Sequence, residues 1–96
     1  MNNSLLFEWD EEKATLNYIK HRVLFETAAK VFNDIYRIEI YDEEHSTFDE
    51  DRYITIGKAN EILFVVYTER KETIRLISAR LATAQERRLY NEHGYF

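Results

Sequence analysis

The stretch from residue 62 to residue 80 constrains the fold more than any other part of the chain. Residues 62–68 are apolar at both parities and rich in β-branched and aromatic side chains, as in a strand covered on both faces. A polar connection at 69–72 separates them from a second run at 73–80, and this length is normal for an antiparallel hairpin. We therefore expect a hairpin in the middle of a sheet, with residues 62–68 as the central strand.

Two arginines, Arg75 and Arg80, lie in the second strand of this hairpin among Ile and Leu residues. Burying a guanidinium group is costly unless the group is paired, so each arginine is expected either to form an ion pair or to bind a ligand. Because they are five residues apart, a regular strand directs them to opposite faces. They share a face only if the strand is bulged or ends before Arg80.

The N-terminal third predicts a short edge strand and two helices. Residues 6–9 alternate in polarity, and Asp10 has the position and chemistry of a helix N-cap. The first helix is expected to run to about His21, and the second has the i, i+3, i+4, i+7 spacing of a buried face. The apolar stripes are Ala14, Leu16, Tyr18 and Ile19 in the first helix, and Phe25, Ala28, Ala29 and Phe32 in the second.

Residues 36–41 and 52–58 change to the alternating pattern of half-buried strands, and Gly57 is expected to mark the end of the second one. The inward positions are Ile38, Ile40, Ile54 and Ile56. Between these strands, the loop 42–51 carries six acidic residues and His45.

The end of the chain predicts a third helix, since Thr83 and Glu86 have the spacing of a capping box before residues 84–92. The sequence as a whole predicts one α+β domain over residues 1–96, with two N-terminal helices, an antiparallel β-meander and a C-terminal helix. The helices are expected to cover one face of the sheet.

The composition argues against several kinds of site. The chain has no cysteine, and its histidines (His21, His45 and His93) are too scattered for a helical zinc-ligand pair, so no metal site is expected. Glycine-rich phosphate loops are absent, so no nucleotide cofactor is expected either. No apolar run is long enough to span a membrane, and we expect a cytoplasmic protein.

Charge is divided unevenly along the chain. Residues 1–51 contain five basic and 13 acidic residues, whereas residues 52–96 contain eight and five. An acidic protein can still bind phosphate locally, because screening limits charge effects to about 8 Å at physiological salt. The candidate RNA-binding residues are Arg70, Lys71, Arg87 and Arg88. A solvated surface paired with the acidic half of the chain explains the division equally well.

Four residues suit cleavage of an RNA phosphodiester without a metal: His45, Arg52, Arg75 and Arg80. In that reaction the 2′-hydroxyl attacks phosphorus, a base takes its proton and an acid protonates the leaving 5′-oxygen. Arginines stabilise the negative charge that accumulates. Each of these residues also has a structural alternative, either an ion pair or a place in a surface loop.

Several motifs in a fixed order carry a family resemblance. They are Phe7-Glu8-Trp9-Asp10-Glu11, Lys20-His21, residues 25–28 with Val31-Phe32, Asp42 to His45-Ser46, Arg52 with Gly57, residues 65–70, residues 74–80 and residues 86–90. The segment 74–80 before a Thr-capped, Glu-Arg-Arg-containing helix is the most specific. With these motifs the chain resembles the BrnT toxins over nearly its whole length. Members usually have Gly at the position of Arg22 and a capping residue at that of Leu24.

The resemblance implies a type II toxin with a RelE-like fold, a ribonuclease that blocks translation. It also implies a BrnA-like ribbon-helix-helix antitoxin as partner, with DNA bound only through that antitoxin. The functional candidates carried over are Lys20, His21, His45, Arg52, Arg75 and Arg80. Two alternatives stay open: a catalytically weak interaction protein that mainly binds the antitoxin and modulates operon repression, and an RNA-binding module without catalysis.

Overall fold

A computed structural model describes residues 6–93, which form a five-stranded sheet and three α-helices. The elements are β1 (Leu6–Glu8), α1 (Glu11–His21), α2 (Phe25–Lys30) with a 3₁₀ turn (Val31–Asn33), β2 (Ile38–Tyr41), β3 (Arg52–Ala59), β4 (Glu61–Arg70), β5 (Thr73–Leu81) and α3 (Ala84–His93). The strand order is β1-β5-β4-β3-β2, in which β1 pairs parallel to β5 and the other neighbours pair antiparallel. The predicted α+β fold, its meander and its central strand are confirmed.

The main core lies between α2 and one face of the sheet. Phe25, Ala28 and Phe32 are buried there, as the helical spacing predicts. Phe32 makes edge-to-face contacts with Tyr67 at 4.9 Å and with Phe7 at 5.3 Å between ring centroids. Aromatic pairs in this geometry contribute beyond their buried area, so they hold the 3₁₀ turn that follows α2 against the sheet.

Helix α1 begins at the predicted Asp10 cap and ends at His21, but its buried face differs from the predicted stripe. Leu16, Tyr18 and Ile19 are exposed, and Asn17 is the buried residue. The Asn17 amide donates to the Ala79 carbonyl (2.9 Å), and the Ala79 N–H donates to Asn17 Oδ1 (3.1 Å). Strand β1 pairs with β5 only at residues 73–75, so it does not extend to Ala79. The Asn17 side chain therefore forms the hydrogen bonds with Ala79 that a neighbouring strand would otherwise form.

Helix α3 lies against the opposite face of the sheet, so the expectation that all helices cover one face is wrong. The cleft beside α3 is lined by Ile56 and Phe64 of the sheet and by Leu89 of the helix. Both parities of β4 are apolar, and the second face therefore also needs cover.

Two predicted turns are also corrected. Gly57 does not end its strand, because β3 continues to Ala59 and the chain turns at Asn60, whose φ is 69°. A Cβ at Gly57 would lie 2.7 Å from Val31 Cγ1, so glycine allows the 3₁₀ turn to approach the strand. The central hairpin turns over residues 71–72 alone, with Lys71 at φ 56°, instead of over four residues.

Candidate functional site

A bulge in β5 brings the two arginines of the central hairpin to the same face. The register of β4 with β5 shifts between Val66 and Tyr67, so that Ile77 has no partner. Arg75 consequently lies opposite Thr68, and Arg80 lies opposite Phe64. Thr68 and Phe64 are four residues apart on β4 and share a face, and therefore Arg75 and Arg80 do too.

Side chains from five neighbouring segments form what we call the polar row: Asp42, Arg52, Thr68, Arg75 and Glu8. Arg52 lies opposite Thr68, Thr68 opposite Arg75, and Arg75 opposite Glu8. Asp42 continues the row beyond β2, because its N–H donates to the Arg52 carbonyl at 2.8 Å. Directly opposed residues point to the same side of a sheet, so the row crosses one face with a spacing of about 4.8 Å per strand.

Five charged groups form a chain of ion pairs along this row. Glu8 lies 3.2 Å from Arg75 and 3.9 Å from Arg70, whereas Glu50 lies 3.6 Å from Arg70 and 3.7 Å from Arg52. Only the Arg75–Glu8 pair is also a hydrogen bond. Three guanidinium groups meet two carboxylates, so the group carries a net positive charge.

Two polar atoms at the centre of the row have no hydrogen-bond partner among the described residues. One is Thr68 Oγ1, on a side chain of a residue that is 1% exposed, and the other is Arg52 Nε. Glu50 is too distant, at 3.7 Å, to accept a hydrogen bond from Arg52 Nε. An open cleft of about 680 Å³ reaches this place, and Thr68 and Arg70 line it together with four acidic residues, Asp49, Glu50, Asp51 and Glu69.

His45 is attached to the end of the row. Its Nδ1 lies 2.9 Å from Asp42 Oδ2, and its side chain is largely exposed. Ser46 fixes the loop, since its hydroxyl donates to the Asp42 carbonyl (2.7 Å) and accepts the Arg52 N–H (2.8 Å). When Nδ1 donates to Asp42, Nε2 is left with a free lone pair that can accept a proton.

Arg80 has a different environment from the arginines of the row. It forms a two-pronged pair with Glu86 at 2.9 and 3.0 Å, and its guanidinium lies 3.9 Å from the centre of the Phe64 ring. The predicted capping box is confirmed, because Glu86 also accepts the Thr83 N–H and the Thr83 hydroxyl accepts the Glu86 N–H. The hydrogen bond from Arg80 is the main reason that the pKa of Glu86 lies below its ordinary value.

A family model described as the ribonuclease toxin, BrnT, of type II toxin–antitoxin systems matches residues 9–86. The chain belongs to the BrnT family. Among solved structures it is similar to the ribonuclease toxin BrnT of Brucella abortus, a crystal structure at 1.1 Å resolution. The TM-score is 0.62, the identity is 24%, and the match covers 83% of this chain and 99% of the other, which supports the fold. No curated protein matches the chain in sequence. Family membership implies a protein antitoxin as partner.

The candidates carried over from the BrnT resemblance fall into two groups in space. His45, Arg52 and Arg75 belong to the polar row. Helix α1 runs beside β5, with Asn17 at Ala79, and therefore Lys20 and His21 lie one turn further on, towards the C-terminal end of β5 where Arg80 is found. Within residues 6–93, no hydrogen bond or ion pair joins the two groups.

The candidate RNA-binding residues are divided in the same way. Arg70 belongs to the ion-pair chain of the row, and exposed Lys71 follows it in the turn. Arg87 donates to the Ala82 carbonyl at 2.9 Å, and Arg88 is exposed on α3. The four candidates therefore lie in two parts of the fold, the β4–β5 turn and α3, and their role in RNA binding stays a prediction.

Sequence reasoning missed the partners of the row's arginines, namely Thr68, Glu8 and Glu50. Thr68 carried a signal, since it is the one residue of the run 62–68 that is neither aliphatic nor aromatic. The glutamates carried none, because they come from β1 and from the loop before β3.

Residues 6–93 contain no group of three or more His, Asp or Glu side chains arranged to hold a metal ion. None of the helices in that range is long and apolar enough to cross a membrane.

Proposed function

We propose that this BrnT-family chain is an endoribonuclease that cleaves RNA without a metal ion, with the polar row as its active site. The observation that carries the proposal is the common face of Arg52 and Arg75, with His45 held at the end of the same row by Asp42. The arrangement combines charge stabilisation at phosphorus with a group that can move a proton.

In the proposed reaction, the 2′-hydroxyl attacks the adjacent phosphorus and the bond to the 5′-oxygen breaks. His45 Nε2 takes the proton of the 2′-hydroxyl, while Asp42 orients the imidazole through Nδ1. The proton that His45 has accepted is then delivered to the leaving 5′-oxygen, directly or through solvent water, so that the histidine returns to its neutral form. Arg52 and Arg75 oppose the negative charge that builds up on the phosphoryl oxygens.

Arg70 lies in the ion-pair chain and Lys71 follows it in the β4–β5 turn, and we propose that they bind the RNA backbone next to the cleaved bond. Phosphate contacts of this kind position RNA and carry no base preference. Arg80, Lys20 and His21 lie towards the other end of β5, so the proposal gives them no direct part in bond cleavage.

We further propose a BrnA-like ribbon-helix-helix protein as the antitoxin and the cytoplasm as the place of action, with translation blocked through loss of RNA. The ion pairs of Glu8 and Glu50 favour one other candidate function, an interaction protein whose arginines are neutralised and whose main task is to bind the antitoxin. Cleavage by the purified chain separates the two.

The deciding experiment follows cleavage of a model RNA by purified protein in EDTA, under single-turnover conditions. Wild type, Arg75→Ala and His45→Gln are compared with Lys30→Ala, which removes an exposed cation of α2 outside every candidate set and serves as the control. We expect cleavage by wild type and Lys30→Ala and strong loss in the other two. Undiminished cleavage by folded Arg75→Ala would exclude the polar row as the active site, and loss of wild-type cleavage in EDTA would exclude the metal-free reaction.

A further inference from the structure

We infer that Thr68 Oγ1 and Arg52 Nε form a built-in oxyanion site, which Glu8 and Glu50 keep covered until a phosphate displaces them. The identification of the natural ligand as an RNA phosphodiester depends on the proposed function, whereas the site itself depends only on the geometry. Neither Thr68 nor the two glutamates had been a candidate on sequence grounds.

The first argument is the lack of partners. Buried polar atoms in proteins are nearly always hydrogen-bonded, yet these two unpaired atoms belong to directly opposed residues. Thr55 of the same strand pair provides the contrast. It is equally buried, but it donates to the Ile38 carbonyl at 2.8 Å and accepts from Arg37 at 3.0 Å.

The second argument is the chemistry that the site offers. Arg52 Nε can only donate, and the Thr68 hydroxyl can donate, so the atom that completes both must be an acceptor. The guanidinium groups of Arg70 and Arg75 lie in the same ion-pair chain and favour a negative ligand there, whereas Asp49, Asp51 and Glu69 line the cleft through which it enters. Tetrahedral oxyanions such as phosphate fit this requirement, because several of their oxygens can accept hydrogen bonds at once.

The third argument is the weakness of the present neutralisation. Glu50 approaches Arg52 and Arg70 only to 3.7 and 3.6 Å, and the side chains of Glu50 and Glu8 are 35% and 41% exposed. Exposed ion pairs at such distances contribute little to stability. A ligand that accepts several hydrogen bonds can therefore displace the two carboxylates. Thr68 is then reached through the cleft that it lines.

The site is tested by titrating the full chain with inorganic phosphate while the NMR signals of the arginine Nε–H groups and of the Thr68 amide are followed. Phosphate should shift the Arg52 Nε–H and Thr68 signals in wild type. Thr68→Val should weaken phosphate binding about tenfold, as expected for one hydrogen bond to a charged group. Glu50→Gln should strengthen it about three- to tenfold by removing the competing carboxylate.

Two matched variants serve as controls. Thr55→Val makes the same change at the satisfied threonine, and Glu72→Gln removes an exposed charge that has no ion pair within residues 6–93. Both should leave phosphate affinity unchanged. If Thr68→Val does not fold, Thr68→Ser and Glu50→Gln still test the site. Thr68→Ser retains the hydroxyl and should bind phosphate like wild type, whereas Glu50→Gln should bind it more tightly.

The result separates this inference from the proposed function. Phosphate binding that is insensitive to Thr68 and to Glu50 would overturn the oxyanion site, even if the chain cleaves RNA. An uncleavable 2′-O-methyl RNA should compete with phosphate for the Thr68 and Arg52 signals. Competition by this RNA without any cleavage of ordinary RNA would keep the site and remove the ribonuclease proposal, and failure to compete would limit the site to free phosphate and overturn the inference for RNA.

Discussion

Arg75 and Arg80 come from the same strand and the same face, yet they lie in opposite kinds of surroundings. Arg80 is held by two short hydrogen bonds to Glu86 and stacks on Phe64. Arg75 has one hydrogen bond, at 3.2 Å, to Glu8, in a group where guanidinium groups outnumber carboxylates and the neighbouring Thr68 hydroxyl is unsatisfied. The comparison teaches that partner geometry, rather than residue type, decides how tightly an arginine is held.

Arg75 and Arg80 differ because their carboxylate partners are held in place differently. Glu86 is the third residue of a helix whose Thr83 cap also binds it, so it meets Arg80 already oriented. Glu8 lies on a short edge strand and its carboxylate accepts one hydrogen bond, whereas Glu50 lies in a loop and its carboxylate accepts none among the described residues. Pairs of that kind contribute little to stability.

The largest effect is expected from Arg75→Ala. Removing a donor that acts mainly in the transition state should slow single-turnover cleavage by about 10²–10³, as for loss of one oxyanion donor. The melting temperature should change little, because the ion pair with Glu8 is partly exposed. Single-turnover rates and thermal unfolding of the same preparation test this, and a variant that melts far below wild type would make Arg75 structural.

The converse is expected of Arg80→Ala. Loss of the paired guanidinium should lower the free energy of unfolding by about 1.5–3 kcal/mol, the range for hydrogen bonds to charged groups. Cleavage by the fraction that remains folded should stay near the wild-type rate. Urea unfolding and cleavage at low temperature are the measurements, and a stable Arg80→Ala protein without cleavage would reverse the roles of the two arginines.

A smaller effect is expected from Thr83→Ala, which removes the cap that orients Glu86. Loss of an N-cap hydroxyl costs about 1 kcal/mol of unfolding free energy. RNA cleavage should be unaffected, because Thr83 belongs to the Arg80 end of the face. Equilibrium unfolding of wild type and Thr83→Ala measures this difference in free energy. An unchanged unfolding midpoint would show that the Thr83 hydroxyl is not needed to orient Glu86.

The smallest expected effect is a pH dependence of the stability that the Arg80–Glu86 pair contributes. Because the hydrogen bond from Arg80 places the folded-state pKa of Glu86 below its ordinary 4.5, the unfolded chain binds the proton more readily. The stabilisation is therefore complete above pH 4.5 and is lost as the pH falls through the lower folded-state value. Unfolding curves of wild type and Glu86→Gln should converge in acid, and parallel curves at every pH would contradict the assignment.

The sequence by itself determined the local elements. Alternation and apolar runs predicted the strands and the central position of β4, and the chemistry of Asp10 and of Thr83 with Glu86 predicted two helix starts. These signals are local, because a cap or a strand period depends on neighbours within about one helical turn. The catalytic candidates Lys20, His21, His45, Arg52, Arg75 and Arg80 also come from the sequence, and their roles stay predictions.

Only the tertiary structure decided which of these residues share a face of the sheet. The unpaired Ile77 turns Arg75 and Arg80 to one face, but a bulge depends on the pairing of two strands and leaves no mark in a single strand's pattern. Burial of Asn17 in place of Leu16 and Ile19 follows from the short reach of β1. The row that joins Asp42, Thr68 and Glu8 is set by strand order and register, which arise from long-range pairing rather than from any short segment.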